Sequence, residues 1–367
     1  MTLGFRYFLY LYYLKYILFF LIFLISCSDR QSERDSHKEY LTPQENNYEI
    51  HFINVGQGDA ILVLTPSKTM LIDAGPPDGD AFNYLKSLGV TEIDIIVATH
   101  PHHDHIGGMV AILNFFDVGR IIDSGMPYTT LSHERYMKLI DTLEIPFTEG
   151  RKGMRLDLCI DAFAEVIHPS EIFEESLNES SIVIMLVLGN IRTLLTGDIE
   201  RRSEEKLLEW HGDVTEGLRS HIFKVPHHGS STSTHTEFLA AVSPELSIIM
   251  CGLNNSQGHP HRQTLAALEA AGSKILRTDL NGHIVVRTNG EEYIVDVQHN
   301  VNMASSLINI NTASKEDLQY IVHIGPERAD QIIKLRPFLS VDDLVRVNGI
   351  GHARLSDIKK QNFVIAE

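Results

Sequence analysis

The feature that most constrains this chain is Thr99-His100-Pro101-His102-His103-Asp104-His105-Ile106-Gly107-Gly108, which follows the apolar run Ile93-Asp94-Ile95-Ile96-Val97-Ala98. The run is short and rich in β-branched residues, so a buried strand is expected there, with the imidazoles and the carboxylate on the loop leaving its C-terminal end. Imidazole nitrogen and carboxylate oxygen are the donors that zinc or manganese prefer. A rigid loop can aim His100 and His102 at one ion and Asp104 and His105 at a second. A merely solvated histidine-rich turn has no need of a leading strand, of Gly107-Gly108, or of the further His and Asp residues downstream.

The chain has 367 residues and is 43% apolar, enough for one large domain and a small one. Its formal charge of -17 argues against a broad basic surface for nucleic acid. Any DNA contact is then expected at metals or backbone amides. Cys27, Cys159 and Cys251 lack Cys-x-x-Cys spacing, so neither a disulfide framework nor a thiolate zinc site is indicated. Cys159 and Cys251 lie in apolar surroundings and read as inert core residues.

From Phe5 to Ile25 the chain is almost wholly apolar, and the stretch after Lys15 has the length of a signal-peptide core. Leu24-Ile25-Ser26-Cys27 resembles a bacterial lipobox, which implies lipidation at Cys27. Residues 1–27 are expected to be a lipoprotein signal peptide or an uncleaved anchor helix, and residues 28–47 a flexible polar linker. Either way the rest of the chain is expected to be extracytoplasmic and membrane-anchored. No second long apolar segment occurs in this sequence.

The body alternates strands and helices. Strands are predicted over 48–54, 60–65 and 69–73, helices over 81–88, 110–116 and 132–143, then strands over 163–167, 181–188 and 191–196. Gly189-Asn190 suits a two-residue hairpin between the last two. A helix near 199–210, a strand over 221–225, and further elements over 233–242, 246–250, 261–271, 284–288 and 293–297 complete the pattern.

His-x-His-x-Asp-His after a strand resembles the signature of the metallo-β-lactamase superfamily. With it stand Phe52-Ile53-Asn54-Val55-Gly56-Gln57-Gly58-Asp59-Ala60-Ile61, Leu71-Ile72-Asp73-Ala74-Gly75, Leu194-Leu195-Thr196-Gly197-Asp198, Lys224-Val225-Pro226-His227-His228-Gly229-Ser230 and Gly258-His259-Pro260-His261. The set is similar to the extracytoplasmic hydrolase domain of the ComEC family of competence DNA-uptake channels, across roughly Tyr48 to His299. The resemblance implies an α/β fold, an αββα sandwich over residues 48–299 with a metal site at the sheet edges. It differs from that family in having no polytopic channel part in this sequence.

Carried over residue by residue, the resemblance implies two divalent ions, Zn2+ or Mn2+. His100 and His102 match the ligands of the first, Asp104 and His105 those of the second, and Asp198 the carboxylate bridging both. The last ligand of the second site is either His227 or His228. Where many members place a histidine as third ligand of the first site, this chain has Asn178; His168 is the other candidate, read here as a strand-end histidine. Asp104 and Asp198 are also implied in catalysis. His259 or His261 is expected to stabilise charge on phosphate at a helix start. Asp59 and Asp73 read as turn residues or as groups that orient the ligand histidines.

From Leu307 the chain reads Ile308-Asn309-Ile310-Asn311-Thr312-Ala313-Ser314, then runs through Ile324-Gly325-Pro326 to Asn348-Gly349-Ile350-Gly351. Two helix pairs with tight glycine turns are predicted over residues 300–367, an all-α domain. The segment resembles the tandem helix-hairpin-helix module of the ComEA family of competence DNA receptors. That implies sequence-independent DNA binding through hairpin amides at Gly325, Gly349, Ile350 and Gly351. His323 stands where that family usually has glycine. Together the readings predict an exported, membrane-tethered, metal-dependent DNA nuclease, with DNA, the membrane and the DNA-uptake machinery as partners. The alternative is a non-catalytic DNA receptor or uptake accessory.

Overall fold

A computed structural model describes residues 47–211, 217–253, 255–299, 308–360 and 364–367. The leader, Cys27 and nearly all of the linker lie outside the described residues. Among the described residues, no helix is long and apolar enough to cross a membrane.

The first half of the domain supplies strands β1 (Tyr48–Phe52), β2 (Ile61–Leu64), β3 (Thr69–Ile72), β4 (Glu92–Ile93), β5 (Ile95–Ala98), β6 (Asp117–Val118), β7 (Ile121–Asp123) and β8 (Phe147–Glu149). The second half supplies β9 (Arg155–Cys159), β10 (Ala162–His168), β11 (Val183–Leu188), β12 (Ile191–Leu195), β13 (Ile222–Lys224), β14 (Leu246–Ile249), β15 (Lys274–Arg277), β16 (Ile284–Thr288) and β17 (Tyr293–Val297). They form an eight-stranded sheet, β17-β16-β1-β2-β3-β5-β7-β8, and a seven-stranded sheet, β15-β14-β13-β12-β11-β10-β9; β4 and β6 make a small parallel pair.

Side chains alternate across each strand, and that alternation builds the layers. In β5, Ile95 and Val97 meet the opposite sheet while Ile96 and Ala98 meet helices. In β13, Ile222 faces inward and Phe223 outward. Both faces are therefore covered, which is why these strands read as continuous apolar runs. The helices Ala81–Ser87, Met109–Phe115 and Leu131–Thr142 cover the first sheet, and Arg201–His211, Thr236–Val242 and Arg262–Ala270 cover the second. The result is the expected αββα sandwich. Strands β3, β5, β7 and β8 run parallel, as do β12 to β15, and the loops leaving their C-terminal ends carry the histidines and aspartates.

Gly189-Asn190 does join β11 to β12, with Leu188 opposite Ile191 and Gly189 at φ +60. The strands β7, β8, β9 and β15 are additions to the sequence reading. Each spans only three to five residues, and pairing with a neighbour makes it a strand where its own pattern is too short to declare one.

The C-terminal part has its own core, including Ile310, Ile321, Ile332, Phe338, Leu344 and Ile358. It contains the helices Lys315–Leu318, Pro326–Leu335 and His352–Lys360 and the 3-10 turn Val341–Arg346. The all-α expectation is amended by β18 (Ile308–Asn309), which pairs in parallel with β19 (Val364–Ile365).

Candidate metal centre

The histidine loop is set by Asp73, at the end of β3 in a left-handed conformation, φ +56. Its carboxylate accepts from Thr99 N at 2.8 Å, Thr99 Oγ1 at 2.7 Å and His105 Nδ1 at 2.7 Å. The last bond fixes the His105 tautomer and leaves Nε2 facing the cluster. The chain then enters the short helix His103–Ile106. Asp59 docks onto it, its N–H donating to Asp104 O at 3.1 Å. Gly58 permits that approach, since a Cβ there would lie 2.1 Å from Asp104 O.

The second sheet brings the remaining arms. Asp198 follows β12 through Gly197, which has φ +51. Past β13, His227 and His228 are both left-handed, φ +48 and +54, which costs about 1–3 kcal/mol each in a non-glycine residue. The turn aims His228 inward. Its Nδ1 donates to Met250 O at 2.9 Å, and Nε2 lies 3.2 Å from Asp198 Oδ2 and 3.3 Å from Asp104 Oδ2. His105 Nε2 also lies 3.2 Å from Asp198 Oδ2, and His100 Nε2 lies 4.0 Å from it. His100 Nε2 and His102 Nδ1 converge at 2.9 Å.

These residues fit a cation on two observations. Asp59, His105, Asp198 and His228 each offer an atom within 4.8 Å of the others, all buried. Asp59 Oδ1, His105 Nε2, Asp198 Oδ1 and His228 Nε2 are also buried without a hydrogen-bond partner. Orphaned polar atoms are rare in native interiors, and four at one point call for a ligand. The charge count agrees. Asp59, Asp73, Asp104 and Asp198 are four carboxylates against the single ammonium of Lys224, which leaves three negative charges.

Burial opposes protonation of His105 and His228, yet the carboxylates around them, Asp198 foremost, outweigh it and hold both imidazoles well above the ordinary histidine range. Burial and then the charge of His105 push His100 and His102 down. Without metal, protons on His105 and His228 thus stand in for the missing positive charge.

The other candidate residues fall as follows. His227 turns outward, half-buried, to Glu200 at 3.0 Å and Thr232 at 3.2 Å, so His228 is the imidazole within the cluster. Asn178 sits on the 3-10 turn Asn178–Ser180 with its Oδ1 buried and unpartnered, and its side chain interacts with Glu200. His168 ends β10 and donates to Glu179 O at 2.8 Å, a packing role rather than a ligand's. His259 packs on His227 and His228, ring centres 5.4 and 6.2 Å away. Burial, then the neighbouring imidazoles, lower it to about 3. It is therefore neutral at pH 7, able to orient an oxygen by a hydrogen bond but not to add charge. His261 stands at the N-cap position of the helix Arg262–Ala270, but its ring turns away from the helix amides, Nδ1 accepting from Ser231 N at 2.9 Å.

Asp59 is a member of the cluster, beyond the turn or orienting role expected of it. Lys224 was missed: wholly buried, its Nζ lies 2.5 Å from Asp59 Oδ2, 2.8 Å from Gly197 O and 3.6 Å from Asp198 Oδ1. The available signal was a lone charge within the apolar strand Ile222-Phe223-Lys224-Val225, which must find a partner. Glu200 and Tyr128, whose ring centre is 5.8 Å from that of His102, were also missed, and no local pattern marks them.

In the C-terminal part, Gly325 precedes the helix Pro326–Leu335, and Gly349 is left-handed at φ +82. Ile350 departs from its expected role: its side chain is buried and its N–H donates to Val347 O at 3.0 Å, so it has no free amide for phosphate. Gly349 and Gly351 flank it. His323 adopts the left-handed conformation expected of glycine, φ +64, and pairs with Asp357 at 3.0 Å.

Residues 53–252, more than half of the chain, match the metallo-beta-lactamase superfamily, and the chain belongs to that superfamily. Residues 303–361 match the helix-hairpin-helix motif. The chain is 29% identical over 262 residues to ComE operon protein 3 of Bacillus subtilis, covering 65% of this chain and 33% of that protein. It is 31% identical over 248 residues to competence protein ComA of Neisseria gonorrhoeae, covering 65% and 32%. It thus spans about a third of the length of these curated relatives. Among solved structures, the metallo-beta-lactamase fold protein YhfI from Bacillus subtilis aligns with TM-score 0.45 and 11% identity, covering 66% of this chain and 99% of that one.

Proposed function

We propose that this chain is a metal-dependent phosphodiesterase that cuts DNA, exported and held at a membrane, acting on external or incoming DNA in competence or DNA uptake. Residues 48–299 are the hydrolase and residues 300–367 the DNA-binding module. The observation that carries the reading is the meeting of orphaned carboxylate and imidazole atoms at Asp198 in a chain that also has a helix-hairpin-helix motif. The competence proteins among its relatives support the setting, and the lipobox-like Cys27 supports the tether.

His100, His102, Asp104, His105, Asp198 and His228 are the residues that would hold Zn2+ or Mn2+, with Asp59, paired to Lys224, beside them. Bound divalent ions would supply hydroxide at neutral pH, by lowering the pKa of water from ~16 toward ~7, and would offset phosphate charge. Two dications against the three negative charges counted above leave one positive charge, which the hydroxide they would supply neutralises. Asp73 and Met250 O keep the Nε2 atoms of His105 and His228 pointed at the centre. The neutral imidazole of His259 is placed to orient a phosphate oxygen.

The test is incubation of the chain from Ser28 onward with single- and double-stranded DNA and added manganese or zinc. The expected result is cutting that His102→Ala and Asp104→Ala abolish while DNA binding persists. Unaltered cutting in both variants would refute the metal assignment. A non-catalytic receptor is the second reading, favoured by Asn178 in place of a third histidine; binding without cutting under every metal tried would select it.

A further inference from the structure

The metal loop opens on one side into a cavity of about 880 Å³, within the range of small-molecule sites. Asp104 lines it, so whatever fills it lies beside the metal centre. We infer that this cavity takes the unpaired nucleoside next to the scissile phosphate, so that the enzyme prefers single-stranded DNA. The inference rests on the phosphodiesterase reading and adds the strandedness of its substrate.

The walls select an uncharged group. Among the described residues no lysine or arginine lines the cavity, whereas Asp78, Asp80 and Asp104 do. A phosphate seated within it would be repelled, so the strand's next phosphate is to lie outside the mouth in solvent. The remaining chemistry is donors facing acceptors. Asn54 Oδ1 accepts from Gly56 N at 3.1 Å and Gln57 Oε1 from Gly252 N at 3.1 Å, which leaves the NH2 ends of both amides for a ligand. The carboxylates of Asp78 and Asp80, both exposed, supply acceptors. Amide donors beside carboxylate acceptors match the edge of a base and the hydroxyl of a sugar.

The cavity is also preformed. Gly252 lies so close to the Gln57 backbone that a Cβ on it would be 2.6 Å from Gln57 N. Asn255 closes the facing loop with bonds to Gly252 O at 2.9 Å, His259 O at 2.6 Å and His259 N at 2.9 Å. The site is an open groove beside the metal loop, and a base held in a duplex must still be unstacked before it can turn into it, at a cost of a few kcal/mol that a single strand avoids.

The experiment uses the full, metal-loaded chain and two probes, 2′-deoxyadenosine 5′-monophosphate and deoxyribose 5-phosphate, whose phosphates meet the same metal centre. The helix-hairpin-helix module meets the same phosphate in each, so the difference reports the base. Calorimetry should show the nucleotide binding about tenfold more tightly, a gap that Ser256→Trp, filling the cavity, removes without changing bound metal per chain. Equal binding of the two probes, or no effect of Ser256→Trp, would overturn the assignment. Cutting of DNA without base-dependent binding overturns the cavity alone. Base-dependent binding without cutting of either DNA supports the cavity and removes the phosphodiesterase. In the metal-loaded chain, duplex cut as fast as single strand counts against the inference.

Discussion

Lys224 is held wholly inside the protein by two carboxylates and a carbonyl, and Asp59 depends on it for neutrality. Lys224→Met strands Asp59 beside three other acids, and breaking a buried pair in this way costs about 3–5 kcal/mol, readable as a lower urea midpoint. His227 gives the opposite sign. Its left-handed backbone suits glycine, so His227→Gly is expected to raise stability by about 1 kcal/mol. His168 supplies a pH dependence. Burial lowers its pKa to about 4 from the model-peptide value of 6.5, so the fold favours the neutral ring. Its contribution is complete above pH 6.5 and is lost between pH 6.5 and 4, at about 1.4 kcal/mol per pH unit. A His168→Gln chain should lack that slope in the difference between the two unfolding curves. His100, His102, Asp104 and His105 were legible because one turn of chain carries them. Lys224 and Asp59 were not, since their pairing joins residues far apart in sequence that only the docking of two sheets brings together.

The helix Arg201–His211 begins where Asp198 ends, and a carboxylate from a distant turn caps it. Glu179 accepts from Glu200 N at 3.2 Å, Arg202 N at 3.0 Å and Ser203 N at 2.9 Å. Further along the helix, Glu204 accepts from Thr234 N at 2.5 Å and His235 N at 3.0 Å, tying down the chain after His228. Glu179→Ala should cost about 2 kcal/mol, with three helix-start amides left unmet, and should speed hydrogen exchange across residues 230–235. Long elements such as β10 and β11 announced themselves by composition. This cap did not, because an N-cap is sought just before its helix and Glu179 lies more than twenty residues upstream.

Across the whole chain, acidity and the proposed DNA binding are reconciled by how the C-terminal cations are used. Arg328 donates to His323 O and Asn348 O, Arg336 to Ile310 O and Ala313 O, and Arg354 to Gly349 O, while Lys315 and Lys359 pair with Asp330 and Asp342. Lys315 and Lys359 are ion-paired, the arginines are held in place by carbonyls while keeping their charge, and eight acids offset the eight Lys and Arg residues of 308–367. Duplex affinity of the intact chain should therefore depend weakly on salt, with a log-log slope no steeper than about -2. A steep slope would reveal a basic surface instead. Gly349→Val, which drives a side chain toward Arg328, should weaken that affinity without touching metal content. The sandwich and the module were both foreseen from motif chemistry, whereas the layering of the ligands was not. Loops of the first sheet bring His100, His102, Asp104 and His105, and loops of the second bring Asp198 and His228. An ion seated there fastens one layer to the other across their open rim, and at a hundredfold excess over its dissociation constant it adds about 2.7 kcal/mol, which chelation should remove as a lower melting temperature. A metal bound there would therefore have to wait for the joining of the two leaves, since the segment that carries most of the donors offers only part of the set by itself.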